Sequence, residues 1–320
     1  MPKTPSTYSG HRQARFDVGR AVMFERFAQQ GRGVPSAVEQ DLAMENAVSL
    51  VFASRFPDAV DLLAEEQRKA KQFRDTLHAT AALLDRHGID HIYIKFRKLY
   101  PYHDSNADVI VPAERWEQAV RLFKNAGYSP YIMFKEPDKV MFDKPGEVSV
   151  HLHPGVTWNG VSYFDTATLW SESIASTEGP WRELAPLHDF LVNLAHNLFE
   201  NYEVTLGEVL FFRQFLRTWS IDLDEAERIA ADQGWDHGFR RAYGQMASLL
   251  DAWSDADRTG VVPGWLLNYP YRMPVSFLAP SYGQRIVHQL RRGDYRTAGR
   301  EIYAYPAFYA LKRRHDLPFL

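Results

Sequence analysis

Asn106-Ala107-Asp108-Val109-Ile110-Val111 reads as a strand with two unlike faces. Successive strand side chains point to opposite sides, so Asn106 and Asp108 share one face while Val109 and Val111 take the other. The apolar face calls for a core, and the polar face sets an amide beside a carboxylate. Pro112 follows where a first helical residue tolerates proline; Trp116, Ala119, Val120 and Phe123 then form an apolar stripe that Gly127 ends. Upstream, His91, Tyr93 and Lys95 alternate with Ile92, Ile94 and Phe96, which predicts another strand with one set on each face. Downstream, Tyr131 to Phe134 predicts a third, and 140–143 with 147–153 flank Lys144-Pro145-Gly146 as an antiparallel pair. In the last segment Glu147, Ser149, His151 and His153 face one way; Val148, Val150 and Leu152 face the core.

Around this unit the period becomes helical. The spacing predicts helices over 36–56 and 58–87, where Phe73, Leu77, Ala81 and Leu84 recur every three or four residues and Gly88 supplies a stop. It predicts others through Leu187, Leu191, Leu194 and Leu198, then over 206–219, 224–233 and 238–253. Residues 1–35, with several prolines and glycines, read as an arm, at most a short helix capped by Asp17 and running through Val22, Met23 and Phe27. Residues 261–283, rich in Pro, Gly and Tyr, read as a long irregular connection before a basic closing segment. The layout is therefore α+β: an arm to residue 35, a helical entry and small mixed α/β core over 36–158, and a mostly helical part over 159–320.

Composition narrows the chemistry. The chain has 320 residues, 37 basic against 40 acidic side chains, a formal charge of −3 and no cysteine. Cysteine nucleophiles and thiolate metal sites are excluded, so any metal must use His, Asp, Glu or Asn. The near-neutral balance argues against a nucleic-acid binder as a whole. The closing segment interleaves Arg285, Arg291, Arg292, Arg296, Arg300, Lys312, Arg313 and Arg314 with tyrosines. That pattern can hold a nucleic-acid backbone, but it is more often a solvated amphipathic helix with snorkelling arginines. No apolar run is long enough to span a membrane and the first 33 residues lack the build of a signal peptide, which predicts a cytoplasmic protein. The tryptophans at 158, 170, 181, 219, 235, 253 and 265 are expected in the core.

The candidate site residues follow from the polar faces. Asn106 and Asp108, side by side, suit a hard cation such as Mg²⁺. His151 and His153 can reach one ion, and with Asp108 from an adjacent strand they make a two-histidine, one-carboxylate set that favours a transition metal instead. Lys95, sharing its face with Tyr93 and His91, is expected to face the cleft, where it can neutralise a phosphate or carboxylate, the alternative being an edge-strand lysine that discourages association. His103 and Asp104, just before the second strand, are candidate cleft-rim groups, the alternative being an ordinary turn. On the helix of the second half Asp189, Asn193, His196 and Glu200 follow at i, i+4, i+7 and i+11 and share one face. If that face closes over the sheet, Asp189 and Asn193 contact substrate and His196, which titrates near neutrality, serves as base or ligand.

The run Leu83-Leu84-Asp85-Arg86-His87-Gly88-Ile89, then Tyr93-Ile94-Lys95, Asn106-Ala107-Asp108-Val109-Ile110-Val111-Pro112, Ala126-Gly127-Tyr128, His151-Leu152-His153 and the helix Asp189 to Glu200 resembles the uncharacterised nucleotidyltransferase-like family of the DNA polymerase β superfamily. The resemblance covers about residues 70 to 220. It implies a small mixed sheet on which an Asp-x-Asp pair and a third carboxylate on a neighbouring strand hold Mg²⁺ against the phosphates of a nucleoside triphosphate, where metal charge stabilises the attacking and leaving oxygens. The motif is degenerate here. Asn106 stands for the first Asp, His151 lies near the third acid, and Phe96 follows Lys95 where the pattern has Gly; Asp108 alone matches.

The resulting expectation is a nucleotidyltransferase-like enzyme that moves a nucleoside monophosphate from an NTP to a hydroxyl or amine of a small molecule. Its catalytic residues would be Asp108, His196 and Lys95, its metal ligands Asp108, Asn106, His151 and His153, and its substrate contacts Lys95, Tyr93, His103, Asp189 and Asn193. The rivals are an enzyme on the same fold that no longer uses nucleotides, acting through Asp108, His151 and His153, and a non-catalytic binding protein on a degenerate core.

Overall fold

A computed structural model describes residues 5–24, 33–132, 138–158 and 160–303, with side chains from residue 13 onward. The helical entry comprises α1 (Pro5–Met23), α2 (Ala37–Glu45), α3 (Ser49–Ala53) and α4 (Val60–Asp85). A reciprocal Ser36–Glu39 capping box starts α2, as the Ser-x-x-Glu spacing dictates. The α/β unit follows with β1 (Ile92–Ile94), β2 (Asn106–Ile110), α5 (Trp116–Asn125), β3 (Ser129–Tyr131), β4 (Val140–Asp143) and β5 (Ser149–His153). Short strands β6 (Thr157–Trp158) and β7 (Val161–Ser162), helix α6 (Thr166–Ser171), and strands β8 (Ile174–Ala175) and β9 (Arg182–Glu183) lead into the helical half. That half holds α7 (Pro186–His196), β10 (Glu203–Val204), α8 (Leu206–Thr218), α9 (Leu223–Asp232), α10 (Asp236–Thr259), β11 (Tyr271–Arg272) and α11 (Val275–Arg291).

Seven strands form one mixed sheet in the order β3-β4-β5-β2-β1-β9-β8. β2 lies centrally, antiparallel to β1 and parallel to β5, and the registers pair Asp108 with Ile94 on one side and with His151 on the other. Partners in register share a face, so Asn106, Asp108, Ile110, His151, His153, Ile92 and Ile94 line a single side of the sheet. The opposite side carries Tyr93, Ala107, Val109, Val150, Leu152 and Phe142 into a core with Phe73, Leu77, Ala81 and Leu84 of α4 and Ala119 and Phe123 of α5. On the first side Ile92, Ile94 and Ile110 join the larger core of the helical half, with Phe190, Leu191, Leu194, Leu198 and Phe211. The polar residues of β2 and β5 are therefore sandwiched between sheet and helices.

Several expectations need correction. Residues 5–23 of the arm form a helix, α1, whose Val18, Ala21, Val22 and Met23 are buried in the main core, and Asp17 lies inside it rather than capping it. Gly19 has a packing reason: a Cβ there would meet Leu267 Cδ2 at 2.9 Å. Phe27, Met133 and Phe134 lie outside the described residues. The interval 261–283 is not all irregular, because α11 begins at Val275 and carries Pro280 within it. Its buried Leu278, Ser281, Tyr282 and Arg285 make a helical stripe whose burial outweighs the cost of proline and glycine in the first turns. Arg285 is not a surface cation: its side chain is 0% exposed, paired with Glu301, and donates to the carbonyls of Gln233 and Ser162. Trp265 is exposed, whereas Trp158, Trp181, Trp235 and Trp253 are core residues as expected.

Candidate functional site

The polar side of β2 and β5 gathers an ionised cluster around Asp108, whose side chain is 6% exposed. Lys95 Nζ donates to Asp108 Oδ2 at 2.9 Å, and Asn106 Nδ2 donates to the same oxygen at 2.9 Å. His153 Nε2 lies 2.8 Å and His151 Nδ1 3.4 Å from Oδ1. Burial alone would raise the Asp108 carboxyl; the Lys95 ammonium and the two imidazoles outweigh it and hold the group well below the usual carboxylate range. For His153 burial wins, bringing it down to about 4, so it is neutral and donates its Nε2 hydrogen to Asp108.

Lys95 reaches this centre by leaving the strand pattern. Its backbone is left-handed, φ +62, directly after β1, and a side chain there costs roughly 1 kcal/mol or more. The turn separates Lys95 from Tyr93, which stays on the other face with its hydroxyl donating to Leu77 O at 2.7 Å. His91 is likewise buried there, against Ile89 O and the Tyr93 ring. Lys95 thus lies beside Asp108, without the two neighbours that alternation assigned to it.

The helical half closes over this face at the end of α7. Lys95 Nζ is 3.4 Å from His196 Nε2, which lies 2.9 Å from Glu200 Oε2. Asn201 Nδ2 can only donate, so its 3.3 Å contact leaves the lone pair on His196 Nδ1 and the hydrogen on Nε2, facing Glu200. Glu200 and Asn201 sit in a π-type turn, Asn197–Asn201, a distortion frequent at functional sites. Burial would raise the Glu200 carboxyl, but His196, Lys95 and Lys139 hold it well below its usual range. Lys139 Nζ lies 3.9 Å from Glu200 Oε1 and is itself buried. The cluster is a chain of alternating charge, from Asp108 through Lys95 to Glu200 and Lys139, with three imidazoles along it.

The remaining candidates stand apart from Asp108. Asp189 and Asn193 turn to the β1–β2 connection: Asn193 Oδ1 accepts from Lys98 Nζ at 3.2 Å, and Asp189 lies 3.9 Å from Arg97, which also pairs with Glu183. Burial pushes the Asp189 carboxyl up to about 6 and that of neighbouring Glu208 up to about 7. His103 Nε2 is held by Glu66 Oε2 at 2.7 Å and lies 3.3 Å from Ser49 Oγ, pinning the connection to α3 and α4. Both contacts use one ring nitrogen, so this Ser-His-Glu group lacks the relay a hydrolytic triad needs. Lys139 was missed in sequence because nothing local distinguishes it. Glu200 was visible on the polar helix line, but not as a partner of His196.

Asp108, His151 and His153 each offer a ligand atom, all within 4.8 Å of one another, and this group could hold a metal ion. The donor set fits an imidazole-seeking ion: the buried Nδ1 of His153 has no hydrogen-bond partner, leaving imidazole capacity unspent. It does not fit an oxygen-ligated Mg²⁺, since Asn106 turns its amide nitrogen, not its oxygen, to the one carboxylate. The space beside the cluster is small, a cavity of about 10 Å³ bounded by Lys95, Tyr102, Asp104, Asn106 and Asp108. A larger cavity of about 440 Å³, lined by Gly234, Gln284, His288 and Arg291, lies elsewhere on α9–α11 and carries no carboxylate–imidazole group. No described helix is long and apolar enough to cross a membrane.

No family model matches the chain, and no curated protein matches it significantly. Among solved structures, the solution structure of the antibiotic-resistance factor ANT(2'')-Ia matches with a TM-score of 0.36 and 12% identity, covering 55% of this chain and 95% of that one.

Proposed function

We propose that this chain is a metal-dependent nucleotidyltransferase-like enzyme whose single catalytic ion is held by Asp108, His151 and His153, and which transfers a nucleoside monophosphate from an NTP to a hydroxyl or amine of a small molecule. One observation carries the reading: a strand carboxylate and two imidazoles of the neighbouring parallel strand converge on one sheet face, with His151 in register beside Asp108. This is where the resemblance expects three carboxylates. Replacing two of them by Asn106 and His151 removes two negative charges, which argues for one ion of the transition class rather than two Mg²⁺. A bound ion would supply Lewis-acid charge against phosphoryl oxygens.

The chain's own residues define the rest. Lys95 and Lys139 bring ammonium charge to the place where phosphate oxygens would lie. His196, oriented by Asn201 and Glu200 and 3.4 Å from Lys95, would orient the acceptor. The test is calorimetric titration with Zn²⁺, Mn²⁺ and Mg²⁺, each with and without ATP, GTP, CTP and UTP. The reading expects heat with Zn²⁺ or Mn²⁺ and a further nucleotide signal; metal without any nucleotide signal would leave a metalloenzyme that does not use NTPs.

A second reading, a non-catalytic binding protein, is favoured by the full engagement of Asp108 through Lys95, Asn106, His151 and His153 and by the small space beside it. It expects no metal heat at all.

A further inference from the structure

A divalent ion cannot join Asp108 while Lys95 stays where it is. The ammonium lies 2.9 Å from Oδ2, on the side of the carboxylate that faces the helical half, and His151 and His153 occupy Oδ1. An ion ligated by Asp108 and an imidazole would stand within a few ångströms of Lys95 Nζ in a buried setting, where like charges are weakly screened. One cation must give way. The surroundings already hold the place to which Lys95 would go: on its far side His196 Nε2 lies at 3.4 Å, and beyond it the Glu200 carboxylate. Glu200 attracts Lys95 already, second only to Asp108 among the charges that raise the lysine.

We propose that Lys95 is a built-in occupant of the ion's place in the Asp108 centre, so that metal loading and transfer of the Lys95 ammonium from Asp108 to Glu200 are one event. The inference rests on the metal reading above and adds its regulation: the protein carries its own competitor, and affinity depends on the acceptor Glu200 as well as on the ligands. Lys95 then leaves the carboxylate only when a better cation arrives, and the displaced ammonium is delivered toward the space where a phosphate would bind.

The experiment is Zn²⁺ binding by calorimetry and by competition with a chromophoric chelator, at one pH, on the full chain and on Lys95→Met, Lys95→Gln, Glu200→Gln and Lys95→Met/Glu200→Gln. Circular dichroism verifies folding, and Lys95→Gln, which keeps a neutral donor for Asp108, stands in if Lys95→Met does not fold. Removing Lys95 should tighten Zn²⁺ binding about tenfold or more. Glu200→Gln should weaken it about tenfold with Lys95 present and change it less than twofold with Lys95 absent. Unchanged or weaker binding without Lys95 overturns the proposal, as does an equal effect of Glu200→Gln in both backgrounds. Binding that survives Asp108→Ala means that the ion sits elsewhere and overturns the metal reading together with it. Absence of Zn²⁺ binding in every variant, the Lys95 replacements included, does the same.

Discussion

Asp108→Asn keeps the shape of the central side chain and removes its charge, leaving Lys95 buried beside an amide. At 2.9 Å and an effective dielectric near 20, the lost attraction is about 6 kcal/mol. The amide oxygen recovers part of that as a hydrogen bond, and the lysine, 16% exposed, recovers more from water and from Glu200. Removing one partner of a buried pair generally costs about 3–5 kcal/mol, and the lower part of that range applies to a lysine with a second carboxylate nearby. The expected loss is therefore about 3 kcal/mol, read from urea denaturation at pH 7. The pH dependence carries a sign. Asp108 has a folded-state pKa below its unfolded one, so its contribution is complete above the ordinary carboxylate pKa and is lost as pH falls through the depressed folded value. The deficit should thus persist from neutral pH down to about 4 and shrink only in stronger acid. Adding Lys95→Met should restore most of it, because the orphaned charge is then gone. A loss under 1 kcal/mol at pH 7, or additive effects of the two substitutions, would refute the coupling on which the centre is built.

Three further outcomes follow from groups outside the pair. Glu208 is pushed up to about 7 by burial, so the unfolded chain ionises first and stability should fall as pH rises from about 4.5 to 7, by about 3 kcal/mol for this group; Glu208→Gln should flatten denaturation midpoints measured across that window. Glu301→Gln leaves Arg285, whose side chain is 0% exposed, without its counter-charge and should cost about 3–5 kcal/mol in thermal or urea unfolding, with earlier proteolytic cleavage near residues 295–303. Tyr93→Phe removes the bond to Leu77 O and should cost about 1 kcal/mol while leaving Zn²⁺ affinity unchanged by calorimetry; a loss of affinity would return Tyr93 to the site.

The alternation in 106–111 and 147–153 was enough to put Asp108, His151 and His153 on one face, because a two-residue period leaves no other arrangement once one face is buried. The Lys144-Pro145-Gly146 turn, the stop at Gly127 and the α5 stripe were legible for the same local reason. Alternation ties Lys95 to Tyr93, but the left-handed turn after β1 sends it to Asp108, and a left-handed lysine has no sequence signal of the kind glycine provides. Its approach to His196 spans a sequence separation of 101 residues, and the Lys139–Glu200 contact is set by tertiary packing too. α11 was missed because Pro280 and Gly283 mark a break in isolation, while the burial of Tyr282 and Arg285 that overrides them is a property of the assembled core. Asp189 and Asn193 share the helix face of His196, yet they meet Lys98 and Arg97 rather than Asp108, since one helix face is long enough to serve two polar clusters.

The most direct measurement is an anomalous-difference map at the zinc edge from crystals soaked in Zn²⁺. A metal-dependent centre predicts a peak about 2.0–2.2 Å from a carboxylate oxygen of Asp108 and from a ring nitrogen of His151 and of His153, with Lys95 Nζ withdrawn from Asp108. Density for Lys95 still paired with Asp108, and no peak between the two strands at saturating Zn²⁺, would contradict it.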